Sequence, residues 1–205
     1  MAVATGWTTA QIVTLVATSS VVSALLTQGL AWLREWLGET KQAKFAALYI
    51  ALALEAYART CATDIGESET YEASSEAAGA PHGNLTELPD FPEVDWRAFG
   101  IKQSEQAMGF RVEIDNERAM IRDLWEHEDE DTVVPVVREL AAKLGLKAFA
   151  MSENFRKQRG LTLLDQSGEY STKNFLDRKH REYVEKRIRD EERRRKSNAE
   201  LFAEA

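Results

Sequence analysis

The chain has 205 residues, with 34 acidic and 26 basic side chains, a formal net charge of −8 and one cysteine. One thiol excludes an internal disulfide framework, and the acidic balance makes the chain a poor nucleic-acid platform. The length suffices for one compact domain besides a terminal segment.

The first 33 residues carry no charged side chain, and Arg34 is the first charge. Within them Ile12–Leu33 forms a charge-free run of 22 residues. At ~1.5 Å per residue a helix of that length reaches about 33 Å, enough for a hydrocarbon core of roughly 30 Å. Its Leu, Ile and Val residues contribute on the order of −3 to −6 kcal/mol to insertion. Thr14, Thr18, Ser19, Ser20, Ser23, Thr27 and Gln28 oppose this, less so where hydroxyls bond back to the preceding turn. Trp7 precedes the run, and Trp32 and Trp36 lie at its end, where indoles suit the headgroup level. A cleaved signal peptide needs a positive n-region and a shorter apolar core, and this N-terminus has neither. A buried soluble helix is the alternative reading.

Arg34, Lys41 and Lys44 follow the run and no Lys or Arg precedes it, which predicts the N-terminus outside and residues 34–205 in the cytoplasm. The Asn84-Leu85-Thr86 sequon would matter only on a lumenal segment. Ser19, Ser23 and Thr27 recur at i, i+4 and i+8, with Ser20 beside them. Small residues so spaced allow close approach of a second copy or a partner's membrane helix. The plainer reading is back-bonded hydroxyls facing lipid.

Beyond the run the charge divides. Residues 55–131 hold 20 acidic and 6 basic side chains, and residues 132–205 hold 12 acidic and 17 basic. Such halves attract each other or face different partners. Glu39–Ile65, rich in Ala and Leu without Pro or internal Gly, predicts a helix ending at Gly66. Phe45, Leu48, Tyr49, Leu52 and Ala56 make one face. Ile50, Leu54, Tyr57, Cys61 and Ile65 make another. Only a stripe of Lys41, Lys44, Glu55 and Arg59 is polar, so this reads as a buried central helix, one that could continue from the anchor through Gly38.

Residues 66–100, with Pro81, Pro89 and Pro92, predict a long irregular connection. Its first half, ESETYEASSEAAGA, reads as mobile, while Phe91, Trp96 and Phe99 tie the second half to the core. Two helices follow. Phe110, Ile114, Ile121, Leu124 and Trp125 align on one face of the first, which the run Glu126–Asp131 ends. The second begins near Thr132, with Pro135 tolerated in its first turn. There Val133, Val137, Leu140, Leu144, Ala148, Met151 and Phe155 keep helical spacing, opposite Arg138, Glu139, Lys143, Glu153, Arg156 and Lys157.

The last segment, Ser171–Ser197, carries six acid-before-base pairs at i, i+4, from Asp177–Arg181 to Glu192–Lys196. Each gives ~0.2–0.5 kcal/mol to a helix at low salt. Phe175, Leu176 and Tyr183 could dock its first turns, and the rest should project.

No phosphate loop, nucleophile elbow, zinc spacing or dinucleotide fingerprint is present, which leans away from an enzyme and implies no cofactor. Three weaker features remain. Glu117 occupies an apolar-face position between Ile114 and Ile121. A buried carboxylate must be paired or neutral, and Arg59 is its expected ion-pair partner. The alternative is a divalent-metal site of Glu55, Glu113 and Glu117. All-helical metal-dependent hydrolases place two carboxylates at i, i+4 like Glu113 and Glu117, but they need a second pair on a facing helix, and Glu55 stands alone. The cluster Glu126-His127-Glu128-Asp129-Glu130-Asp131 has oxygen ligands for Ca²⁺ or Mg²⁺ but lacks EF-hand spacing and its glycine. It reads better as a solvated turn whose last acids favour the next helix N-terminus. The run Arg193-Arg194-Arg195-Lys196 could meet anionic lipid, or could be a solvated helix end. It has no interleaved aromatic for base stacking. His82 and His180 read as isolated surface residues.

The strings LEAYARTCA (54–62), PHGNLTELPDFPEVDW (81–96), EIDNE (113–117) and ENFRKQRGL (153–161) are similar to a group of uncharacterised bacterial proteins. In that group a short N-terminal membrane segment precedes a helical domain. The resemblance implies that architecture and a bacterial inner-membrane setting, and carries no activity or catalytic residue.

The sequence therefore predicts an all-α protein in three parts. A single transmembrane helix (1–37) leads to a cytoplasmic helical bundle (38–165) with a long irregular loop, then to a projecting charged C-terminal helix and tail (166–205). The expected role is protein binding or scaffolding at the cytoplasmic face of the inner membrane, with a protein partner or a second copy. The rival functions are the metal-dependent hydrolase and a phage-type membrane-permeabilising protein, the latter suggested by the hydroxyl-lined helix.

Overall fold

The computed structural model describes residues 9–75, 77–91, 93–94, 96–166, 168 and 171–203, with side chains described between Lys41 and Ser197. Among the described residues four α-helices make up the fold: α1 (Thr9–Ala73), α2 (Ile101–His127), α3 (Glu130–Gln158) and α4 (Thr172–Ala203). A single 3₁₀ turn, Trp96–Ala98, precedes α2, and the described residues contain no strand. The chain divides into two compact units, Met1–Ala43 and Lys44–Ala205.

In the first unit Ile12–Leu33 lies within α1. The side chains of Ser19, Ser23, Thr27, Trp32 and Trp36 fall outside the described ones, as does Trp7 altogether. The stretch Lys41–Ala73 is long and apolar enough to cross a membrane, yet 44% of its most apolar window is buried inside the protein. The core helix of a soluble protein has the same properties.

Within the second unit the paired side chains fix the helix directions. Glu55 meets Arg156 and Ser68 meets Arg138, so α3 runs opposite to α1. Glu117 meets Lys143 and Glu113 meets Lys147, so α2 also opposes α3. Glu139 meets Arg187 and Glu153 meets Lys173, so α4 does too. One end of the bundle therefore gathers Lys44, the start of α2 and the end of α3. The opposite end gathers Ala73 and the acidic α2–α3 connection.

The core combines Ile50, Leu54, Tyr57, Cys61 and Ile65 of α1 with Phe110, Ile114 and Ile121 of α2, Val133, Leu144 and Ala148 of α3, and Leu176 of α4. Burying such side chains contributes about 1.5–3 kcal/mol each. The Tyr57 ring meets Phe110 edge-on at 5.8 Å. Gly145 is the tightest crossing: a Cβ there would lie 2.9 Å from Leu176 Cδ1 and 3.2 Å from Cys61 Cβ. Only hydrogen at this position lets α1, α3 and α4 approach so closely.

Helix α1 does not stop at Gly66 but continues two turns to Ala73. Helix propensity at one glycine is a difference of about 1 kcal/mol, and tertiary contacts outweigh it. Arg138 Nε donates to Ser68 Oγ at 2.8 Å, Nη2 to Ser68 O at 2.7 Å and Nη1 to Glu72 Oε2 at 2.5 Å. Much of the stretch read as mobile is thus ordered helix. The face expected to be buried with the rest of α1 is exposed instead: Phe45 is 64%, Tyr49 57% and Leu52 41% accessible.

The connection from 74 to 100 lies along α1 and α2. Trp125 Nε1 donates to Gly83 O at 2.6 Å, Arg118 pairs with Glu87 and Arg111 with Asp90. Phe91, Trp96, Phe99 and Phe155 form a chain of ring contacts of 5.6–6.0 Å into the core. Gly79, at φ +85°, passes so near α1 that a Cβ would lie 2.3 Å from Glu67 O. His82 is not isolated: its Nε2 lies 2.9 Å from Glu67 and its Nδ1 3.8 Å from Asp64.

Helix α3 starts at Glu130, two residues before the expected position. Asp129 caps it by accepting from Thr132 N at 3.1 Å, so Pro135 falls in the second turn. There its missing N–H deprives only the carbonyl of exposed Asp131.

Candidate functional site

The most developed polar arrangement in the described residues is buried between α1 and α3. Glu55 and Arg156 are 3% and 6% exposed. Glu55 Oε1 accepts from Arg156 Nε at 2.7 Å and from Ser152 Oγ at 2.5 Å, while Oε2 accepts from Arg156 Nη2 at 3.0 Å. Arg156 Nη1 donates to Thr162 O at 2.9 Å. The two-pronged geometry is the strongest form of carboxylate–guanidinium contact. Both charges are compensated, which is what makes their burial tolerable.

This cluster lies outside the sequence expectation, which puts Glu55 on a solvent stripe and Arg156 on the outer face of α3. Arg138, also expected on that outer face, is likewise buried. The signal that could have found the cluster is a polar residue at a core-facing helical position on both sides of the pairing: Glu55 among Ala51, Leu54 and Ala58, and Ser152 between Ala148 and Phe155.

The three candidate metal carboxylates each hold a cation from α3. Glu55 takes Arg156, Glu117 takes Lys143 at 3.3 Å, and Glu113 pairs with Lys147. Glu113 and Glu117 face α3 from α2, and Glu55 faces it from α1. Among the described residues these three do not form a ligand group. The expected Arg59–Glu117 pair is replaced by Lys143–Glu117, because Arg59 lies on the exposed side of α1. Glu117 is half-buried, which a lysine stem can cover without a core arginine.

Asp123, Glu126 and His127 do bring ligand atoms within 4.8 Å of one another, all exposed. His127 Nδ1 lies 2.9 Å from Asp123 O within the same helix. This overlaps the acidic run, whose Asp129 serves as the cap of α3 and whose Glu130 and Asp131 occupy its first turn, where negative charge suits the dipole.

Two buried groups titrate abnormally. Burial pushes the Cys61 thiol up to about 12. Burial likewise raises the Tyr57 hydroxyl, which has no hydrogen-bond partner of normal geometry and sits beside that thiol. A thiol so disfavoured as thiolate is no nucleophile. At the far end of α1, the Arg138 hydrogen bond and charge hold Glu72 below the usual carboxylate range.

Helix α4 docks by its first half. Leu176 is fully buried, Tyr183 Oη donates to Glu69 at 2.8 Å, and Lys179 Nζ lies 2.9 Å from Glu69. From Glu185 to Ser197 every side chain is exposed except half-buried Asp190. Of the expected i, i+4 pairs, Asp177–Arg181 and Glu185–Arg189 form, beside the reversed pairs Arg178–Glu182 and Arg187–Glu191. Because α4 runs away from the Lys44 end, Arg193–Lys196 lies roughly 30 Å beyond the start of that helix.

No family model, no curated protein and no solved structure matches this chain.

Proposed function

We propose that this protein is a single-pass adaptor of the inner membrane, anchored by Ile12–Leu33, with its N-terminus outside and its bundle in the cytoplasm. The free second half of α4 binds a protein partner. The observation that carries the reading is the exposure of α4 from Glu185 to Ser197 beyond its docked start. A polar helix with no core to cover rests on its own i, i+4 ion pairs, and its exposed charged faces are open to another surface. The charge-free run supports the anchor, and Arg34, Lys41 and Lys44 support the orientation. The carboxylates of the rival hydrolase are each occupied by a cation, which leaves that reading without a supporting observation.

The test is cross-linking and mass measurement of the full chain in mild detergent, beside a chain ending at Ile188, which keeps the Tyr183 and Arg187 contacts, and a charge-reversed Arg189→Glu/Arg193→Glu/Arg194→Glu variant. A defined partner or self-complex with the wild type, lost in both variants, is the expected result. Indifference of every complex to α4, or no complex at all, refutes the proposal.

A further inference from the structure

Of the large apolar side chains that the bundle leaves in solvent, Met108, Val112, Met120 and Trp125 are strung along α2 and Ile188 lies on α4, while the other six gather together. Phe45, Tyr49, Leu52, Ile101, Leu163 and Leu164 are all more than 40% accessible. The antiparallel pairing places all six at one end. Phe45 to Leu52 begin the second unit's share of α1, Ile101 begins α2, and Leu163 and Leu164 follow the end of α3. Exposed Lys44, Lys102 and Lys157, the last paired with Glu153 at 3.7 Å, are at the same end, against exposed Glu105 and Asp165. The opposite end carries Glu126, Glu128, Asp129, Glu130 and Asp131, all exposed. One end is apolar with nearly balanced charge and three lysines, the other strongly acidic.

We infer that the Lys44 end of the bundle is a lipid-contact face that seats on an anionic bilayer surface. The inference rests on the anchor proposed above. Two observations select lipid as the occupant. The charge division orients the domain on a negative leaflet, drawing in the lysine end and repelling the acidic end. The chain also enters the second unit at this end. Only eleven residues of chain lead from Leu33 to Lys44, so the link from the proposed anchor to this end is short. Exposed Phe, Tyr and Leu among lysines suit the headgroup layer, where apolar bodies bury and ammonium groups stay wet. The Arg193–Lys196 run, carried the other way by α4, is left for a soluble partner.

The experiment uses the full chain in nanodiscs of phosphatidylcholine with or without phosphatidylglycerol, which supplies the negative surface charge. On a Cys61→Ala background, a fluorophore is attached at Tyr49→Cys, Leu164→Cys or, at the far end, Met120→Cys. A quencher is carried on the lipid headgroups. The expected result is several-fold stronger quenching at positions 49 and 164 than at 120, rising with phosphatidylglycerol. Lys44→Glu/Lys102→Glu/Lys157→Glu should remove that rise. Equal quenching at 164 and 120 in discs that retain the protein overturns the lipid face while leaving the anchor standing. Loss of the chain from the discs in alkaline carbonate overturns the anchor, and this inference with it.

Discussion

Removing either member of the Glu55–Arg156 pair should be among the most damaging single changes in the molecule. Glu55→Leu strands a buried guanidinium with Thr162 O as its remaining partner. Arg156→Met strands a buried carboxylate with only Ser152 to donate to it. Leaving one buried charge uncompensated costs about 3–5 kcal/mol. Against a domain stability of about 5–15 kcal/mol, that is about a fifth of the total or more. The double variant Glu55→Leu/Arg156→Met removes both charges and fills similar volume, and should lie within about 1 kcal/mol of wild type or above it. Urea unfolding of the full chain in mild detergent, followed by tryptophan fluorescence, reads all three. Single variants that each lose less than about 1 kcal/mol would mean that water reaches the pair. A double variant as damaged as the sum of the singles would refute the coupling itself.

Other outcomes follow from single positions. Gly66→Ala should raise stability by about 0.5–1 kcal/mol, because Gly66 lies inside α1 and a Cβ added there would meet nothing within 4 Å; a loss would mean the helix ends there after all. Gly145→Ala should lower stability by about 1–3 kcal/mol in the same urea assay, since its Cβ would press on Leu176 and Cys61. Cys61 should resist an aromatic disulfide reagent at pH near 8 and react fully in urea, because it is buried with its thiol pushed up to about 12. Glu72 is held low by the Arg138 hydrogen bond, and Glu153 by the Lys173 hydrogen bond. Their stabilisation is complete above the ordinary carboxylate value of 4.5 and lost as pH falls through their depressed values. Asp64, raised by burial, works in the opposite sense. Arg138→Met should therefore flatten the acid limb of stability against pH, and an unchanged slope would dismiss the Glu72 contribution.

The helices and their main apolar faces are legible in the sequence because hydrophobic spacing reports which side of a helix is covered. On α3, Val133, Val137, Leu144, Ala148 and Phe155 are buried at the expected turns. What spacing cannot report is which polar residue is carried inward by a partner far along the chain. Arg138 and Arg156 sit on the flank of that same face, and their long stems let the guanidinium groups reach Ser68 and Glu55 on α1. The end of α1 departs from its expected place for the same reason: Gly66 is a local stop signal, whereas the contacts of Ser68, Glu69 and Glu72 come from α3 and α4. The need of Glu117 for a cation is readable from its position, but its geometry selects Lys143 rather than Arg59. The exposure of the Phe45–Leu52 face is not readable, because an apolar stripe carries no mark of whether anything covers it.

The distance in sequence between Glu55 and Arg156 has a consequence during synthesis. The two are 101 positions apart, so the ribosome takes roughly 5–20 s after Glu55 to make its counterion. Through that interval α1 offers two apolar stretches, Ile12–Leu33 and Lys41–Ala73, and only the second carries acidic and basic residues near its middle. An unpaired acidic side chain at the centre of a candidate span opposes insertion by about 2.5–3.5 kcal/mol. Glu55 thus disfavours membrane insertion of the Lys41–Ala73 stretch before the bundle exists, and Arg156 later compensates the same charge inside the finished core.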